Sequence, residues 1–430
     1  MSRAATRPQP GNRAKQRRPS RWRWPVLVLI GCAAIGGGLW VAVWWEERPL
    51  AEVERLLAQK DSWEAVSQAD RFLKLHPGNN RATALKARAL VQMGRAAEAV
   101  RLFDQVGAAS KAEMKAFAEA CLILERWVQA LPILEYLLEQ EPRDKDLLHE
   151  VSACRAKLGE FDGAVAAAAR LAEIPGNEAR GYLLVGMLER DRGNSRKACD
   201  AWARVLEINP AATDLQITPD EFNLGYGTAL LKLGEPEAAS ERLQSSIATK
   251  PTGRAMSLLG KAYNQLGRSE EAEQEWLRAV ERDPSNEAAR QGLSELAMKK
   301  SKFQEALDWL KPLETSPMLS SASAFLMQRA STLLGDTAAA SAWQVRVDEI
   351  RKLEELHSTV DQVLVDSPDS MWGRVLRGYR LAEQGNWDQA GILVTPYLAE
   401  PPHPFITELG AAIQNRSALP HLNRLPIESF

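Results

Sequence analysis

Cysteine and histidine are scarce in this chain. Its 430 residues hold four cysteines (Cys32, Cys121, Cys154, Cys199) and five histidines (His76, His149, His357, His403, His421). None of the cysteines forms a CxxC pair and no Cys/His spacing suits a structural zinc, so metal-nucleated folds are excluded. Three cysteines fall after residue 45, an odd number that resists a complete disulfide framework. They are expected as free buried thiols, with Cys121 to Cys154 the one pairing worth testing. Cys32 sits in "LIGC", which resembles a bacterial lipobox and leaves lipidation open. Also missing are HExxH, a phosphate-binding GxxxxGK[ST] loop and GxSxG. The histidines are dispersed with no adjacent acid as a partner, and acidic pairs such as Glu270-Glu271 read as solvated helix surface. No catalytic, cofactor or metal site is expected, and the chain reads as a non-enzyme.

Net charge is also small, −2, but it is unevenly spread. Residues 1–45 carry eight bases (Arg3, Arg7, Arg13, Lys15, Arg17, Arg18, Arg21, Arg23) and no acid, leaving 46 bases against 56 acids in the rest. A mildly acidic body argues against nucleic-acid binding, which requires neutralised phosphates. The uncharged run "PVLVLIGCAAIGGGLWVAVWW", Pro25 to Trp45, is 21 residues, about 30 Å as a helix and so matched to a bilayer core. Tryptophans flank both ends, bases crowd the first flank, and Glu46 and Glu47 open the second. The expectation is a single-pass anchor with its basic arm (1–24) cytoplasmic and its body outside, at the cell (inner) membrane.

Beyond the anchor one pattern repeats. Aligned on Ala272 of "SEEAEQEW", counterparts stand at Ala65, Ala99, Ala130, Ala164, Ala198, Ala239, Ala306, Ala340 and Ala390, and five of the nine steps are 34 residues. Twelve residues earlier lies a small side chain in eight of ten units: Ala87, Ala118, Ser152, Gly186, Gly227, Gly260, Ser294 and Gly378. Five residues earlier, seven units have glycine: Gly94, Gly159, Gly193, Gly234, Gly267, Gly335 and Gly385. Prolines follow twelve residues later at Pro77, Pro142, Pro210, Pro251, Pro284 and Pro402.

The cadence has a physical reading. Each unit is two amphipathic helices; small residues let the two backbones approach, glycine turns the chain between them, and proline ends the second helix. One such hairpin cannot bury its own apolar face, so neighbours must stack. Large residues four beyond the alanine, among them Trp202, Leu243 and Trp276, should pack between units as core. Departures carry expectations too. Seven extra residues around "AATDLQITPDE" should project between units, and Gln328 at a small position should splay its pair. Sixteen extra residues before Ala390, with Trp343, Val347, Ile350, Leu353, Val360 and Leu364, suggest a lengthened amphipathic helix and a candidate docking surface.

The combination Leu259-Gly260, Tyr263, Gly267, Ala272, Trp276, Ala279 and Pro284 resembles the tetratricopeptide (TPR) pattern, over roughly residues 46–402. The resemblance implies an all-α, TPR-type helical-hairpin solenoid, a right-handed superhelix preceded by one transmembrane helix. Its parts would be about nine units over 46–348, a lengthened helix or spacer at 349–370, a further unit at 371–402 and a capping helix and tail at 403–430. It also implies a groove lined by the first helices: Ser257, Lys261 and Asn264 in the best unit, Leu183, Met187, Arg190, Leu224 and Thr228 before it. Such a mixed surface suits an extended peptide or a helix. The two-carboxylate clamp of chaperone-binding TPR domains is not carried over, because Lys115 is followed four residues later by Glu119.

The resulting expectation is a membrane-anchored scaffold for protein or peptide partners in envelope assembly, secretion or export, without nucleic acid. Two alternatives keep the fold: an organelle-type import or chaperone receptor facing the cytosol, and a lipid-anchored lipoprotein. Partner identity and oligomeric state are not encoded in any pattern visible here.

Overall fold

The computed structural model describes residues 48–316, 319–367, 370–399 and 403–426. The expected anchor, residues 25–45, and the basic arm lie outside the described residues, as does Cys32. Among the described residues there is no strand, and no helix is long and apolar enough to cross a membrane.

Two compact units divide the chain, Met1–Ala108 and Ala109–Phe430. In the first, α1 (residues 48–58) and α2 (Ser62–Leu75) form one hairpin, and α3 (Asn80–Gln92) and α4 (Ala96–Val106) the next. Leu50, Val53, Leu57, Ala65, Ala69, Phe72, Ala82 and Leu85 make its core.

In the second unit the hairpins are α5 (Lys111–Ile123) with α6 (Trp127–Gln140), α7 (Lys145–Lys157) with α8 (Phe161–Ala172), and α9 (Glu178–Asp191) with α10 (Ser195–Ile208). Next come α11 (Pro219–Leu233) with α12 (Pro236–Thr249), α13 (Gly253–Gln265) with α14 (Ser269–Arg282), and α15 (Glu287–Lys299) with α16 (Phe303–Leu310). The series ends with α17 (Ser321–Leu333) and α18 (Thr337–Asp366), α19 (Met371–Glu383) and α20 (Trp387–Val394), and a last helix α21 (Pro404–Asn415). Within the second unit each helix from α5 to α21 packs on its neighbours in sequence, and in the first unit α3 packs on both α2 and α4. Each unit is an all-α stack of helical hairpins.

Every inter-helix turn has the same construction. The residue five before the anchor alanine holds a positive φ in all ten hairpins. Seven are glycines, and the other three are Lys60 (φ 60°), Glu125 (φ 55°) and Ser301 (φ 57°). The next N–H reaches back to a carbonyl five residues earlier, as Arg95 does to Leu90 (2.8 Å) and Arg268 to Tyr263 (2.9 Å). This is the Schellman closure, in which a left-handed residue lets the chain satisfy carbonyls left over at the helix end.

Capping is asymmetric. Most first helices, α9 excepted, begin on side-chain caps: Asn79, Asp144, Thr252, Asn286, Ser320 and Ser370 each accept from an early helix N–H, and Ser110 forms a capping box with Glu113. The second helices α4, α6, α8, α10, α12, α14, α16 and α20 have no side-chain cap from their own N-cap residue. Their first N–H groups must find partners elsewhere.

Packing explains the small positions. The indole of Trp202 lies where a Cβ on Gly186 would sit, 2.3 Å from its Nε1, and Trp276 is held in the same way between Gly260 and Gly292. Trp202, Leu243 and Trp276 are buried, in keeping with their reading as core. Ser152, another small residue, donates to the carbonyl of anchor Ala164 at 2.9 Å. Cys121, Cys154 and Cys199 are buried thiols, with no disulfide between the first two.

Two expectations about departures are corrected. The segment 211–217 does not project: Ala212 is buried, Leu215 and Ile217 pack onto the neighbouring core, and Asn209 Nδ2 donates to Thr213 O. Its apolar residues find cover by folding inward. The α17–α18 pair does not splay at Gln328 either. That side chain is half-buried, with its amide 3.5 Å from Thr332, while Ala324, Met327 and Val347 close the core beside it. The lengthened helix is continuous with the second helix of its hairpin, giving 30 residues in α18.

Candidate functional site

On α11, Glu221, Leu224, Gly225, Thr228 and Lys232 recur at intervals of three, four, seven and eleven residues, which places them on one helix face. They floor a trough of ≈ 530 Å³ whose walls are Arg190 and Asp191 from the end of α9 and Arg254 from the start of α13. Three consecutive first helices therefore build it, as stacked hairpins with repeating geometry require.

Its charges are not equivalent. Arg190 is committed: its Nε donates to Asp191 at 2.9 Å, and its guanidinium carbon stands 5.9 Å from the Trp202 ring centroid. Glu221 is also engaged, accepting from the Thr218 N–H at 3.2 Å to box the start of α11. Thr228 donates to the Leu224 carbonyl at 2.6 Å, so its hydroxyl oxygen faces a ligand as an acceptor. Lys232 and Arg254 are exposed and have no ion-pair partner among the described residues. The surplus is positive, and Leu224 with the Thr228 methyl supplies the apolar part. A carboxylate flanked by an aliphatic group matches that surface.

Of the residues named from the sequence, Arg190, Leu224 and Thr228 line this trough together. Met187 is half-buried and packs on the core, Lys261 is exposed on α13, and Asn264 accepts from Lys299 Nζ at 3.4 Å. Leu183 and Ser257 are corrections: both are buried and cannot line a groove. Their carbonyls receive the indole N–H of Trp202 (3.3 Å) and Trp276 (3.0 Å), so this position serves the packing of its own hairpin. Glu221, Lys232 and Arg254 were not expected. Spacing of four from Thr228 would have found Lys232, whereas Arg254 belongs to the next hairpin and needs the stack to bring it in.

Upstream on α7, the potential reverses. Burial pushes the Glu150 carboxyl up to about 7, reinforced by Asp146, Glu119 and Asp144 and opposed by Lys115. His149 is held below its ordinary value by burial and by Arg180. Among the described residues no group of three or more His, Cys, Asp or Glu side chains converges as a metal ligand set.

Two stretches of the chain are similar to catalogued repeat families. A family profile described as the Psidin N-terminal TPR repeats region matches residues 47–182, and a tetratricopeptide-repeat profile matches residues 224–287. No curated protein matches the chain. Among solved structures, MamA (residues 41 to the end) from Desulfovibrio magneticus RS-1 is 23% identical, covering 41% of this chain and 98% of that one at a TM-score of 0.37. PilW, described as a widely conserved type IV pilus biogenesis factor, is 18% identical over 54% of this chain and 96% of that one, with a TM-score of 0.40. A tetratricopeptide repeat protein from Parabacteroides merdae is 19% identical over 63% and 99%, with a TM-score of 0.39. Likeness of this degree does not extend to function.

Proposed function

We propose that this tetratricopeptide-repeat chain is a scaffold that holds protein partners by an extended acidic segment laid in the trough between α9, α11 and α13. The observation that carries the reading is the surplus of Lys232 and Arg254 beside an apolar floor. A carboxylate there exchanges hydration for two flexible cations, and the helix faces on either side extend the contact along the peptide. The uncharged run 25–45 with its basic flank supports tethering to the cell (inner) membrane, with the repeats on the far side from the cytoplasm and a role in assembling envelope or export machinery.

Binding of a fluorescein-labelled peptide with alternating Glu and Leu tests the trough. Anisotropy should report binding to the full chain that weakens at least tenfold in Lys232→Glu/Arg254→Glu and declines with added salt. Equal affinity in the double variant would sink the assignment. Topology has its own test: a C-terminal tag should be digested by protease added to intact spheroplasts, and protection would place the repeats in the cytosol.

A further inference from the structure

The last hairpin does not end the stack passively. Each helix from α6 to α20 packs on its neighbours, and α20 also packs on α6, so the packing closes a loop. The closing contacts join residues more than 200 positions apart. Gln389, buried on α20, accepts from the Val128 N–H at 3.2 Å and donates to the Glu125 carbonyl. Arg377, buried on α19, donates to the Leu158 carbonyl at 2.7 Å and reaches Glu160 at 3.3 Å.

These are helix caps supplied from a distance. Val128 is the second residue of α6, whose N-cap Arg126 makes no side-chain cap of its own. Gln389 fills that role, satisfying an orphan N–H of the first turn. Leu158 is the C-cap of α7. Arg377 meets its carbonyl with positive charge where the helix dipole is negative. The adjacent turn residue Gly159 lies bare beneath the Arg377 stem, with a Cβ there placed 3.5 Å from Arg377 Cδ. Both polar groups of the Gln389 amide and two successive turns are matched, which chance contact would not arrange. Half-buried Trp127 adds apolar support by packing against the C-terminal core.

The seam borders the trough. A hollow of ≈ 330 Å³ along it is lined by Leu158, Gly159, Asp361, Arg377 and Arg380 together with Asp191, which also walls the trough. We propose that the α19–α20 hairpin is a releasable clasp that closes the loop around the trough and governs admission of large partners to it. A seam closed by a few hydrogen bonds to backbone groups is a place where such a stack opens. The proposal rests on the reading of the trough as the partner site, but its test needs no partner.

Thr228→Cys in a full chain carrying Cys32→Ser places one reactive thiol in the trough, since the other cysteines are buried. Labelling by N-ethylmaleimide should be unchanged when Gln389→Ala/Arg377→Ala is added, whereas labelling by a 5-kDa polyethylene-glycol maleimide should accelerate at least fivefold. Amide exchange at Val128 should accelerate in parallel, and the scattering radius of gyration should rise with helix content retained. Equal rates for the bulky reagent overturn the gate, and unchanged exchange at Val128 overturns the clasp. If the double variant loses helix, Gln389→Glu substitutes for it: the acceptor for Val128 remains while a carboxylate opposes the Glu125 carbonyl. Its bulky-reagent rate should lie above wild type, and a rate no higher overturns the proposal. Failure of peptide binding with these results intact would remove the proposed ligand and leave the clasp standing.

Discussion

Trp202 lies flat across Gly186 and donates its indole N–H to the carbonyl of Leu183 at 3.3 Å. The same geometry recurs 74 positions later with Trp276, Gly260 and Ser257. A large plate on the second helix thus needs a bare backbone on the first, and the pair locks the hairpin's interaxial distance.

Gly186→Ala puts a methyl 2.3 Å from Trp202 Nε1. Overpacking of this kind costs about 1–3 kcal/mol. A lowered urea midpoint is expected, and Trp202→Phe in the same background should recover part of it by shrinking the plate. Trp276→Phe alone should destabilise, because the Ser257 carbonyl loses a buried donor, a loss of about 1–3 kcal/mol.

Ser301 occupies a left-handed turn position that seven other hairpins give to glycine. Ser301→Gly relieves a conformation that L-residues resist by roughly 1–2 kcal/mol, less the extra freedom glycine has when unfolded, roughly 0.5–1 kcal/mol. The net expectation is a gain of about 0.5–1 kcal/mol in denaturant unfolding. Gly335→Ser should shift the midpoint in the opposite direction.

Glu150 provides a pH signature. Its carboxyl is raised to about 7 by burial and by Asp146, Glu119 and Asp144. The folded state therefore binds more protons than the unfolded state between the ordinary carboxylate value and about 7. Stability from this group is present at low pH and falls as pH rises through that window. Glu150→Gln should be more stable than wild type at pH 8, by about 1–2 kcal/mol after allowance for solvent screening, with the difference vanishing near pH 4.5. Thermal melts across that range read the sign directly.

Burial pushes the Cys154 thiol up to about 12 and the Cys199 thiol up to about 11. A thiolate is the reactive species. Neither thiol should react with a disulfide reagent at pH 7.5 in the native chain, and both should react at once in guanidinium. Native reactivity within minutes would contradict the packing described.

The hairpins were legible because their spacing is a steric code. Ala272 and Gly260 must be small wherever Trp276 lies between helices, and that requirement repeats down the chain. The left-handed turns at Lys60, Glu125 and Ser301 were hidden, since nothing in those side chains signals the conformation; only their register with the glycines does. Leu183 and Ser257 were misplaced because their side chains fit a groove while their carbonyls serve the core. Arg254 was missed because a neighbouring hairpin brings it to the trough. Gln389 and Arg377 were least accessible to sequence reading. Most of their partners are backbone groups with no residue signature, as at Val128 and Leu158, 261 and 219 positions away.

The thirty residues of α18 set phase as well as reach. Each residue added to or removed from its exposed middle would turn everything downstream by about 100° and move it by about 1.5 Å. A single insertion would aim Gln389 and Arg377 away from the turns they meet, without touching either side chain. Lengths differing by about seven or eleven residues come close to restoring the facing direction but shift it by more than 10 Å. This one segment should therefore tolerate substitution readily and changes of length hardly at all.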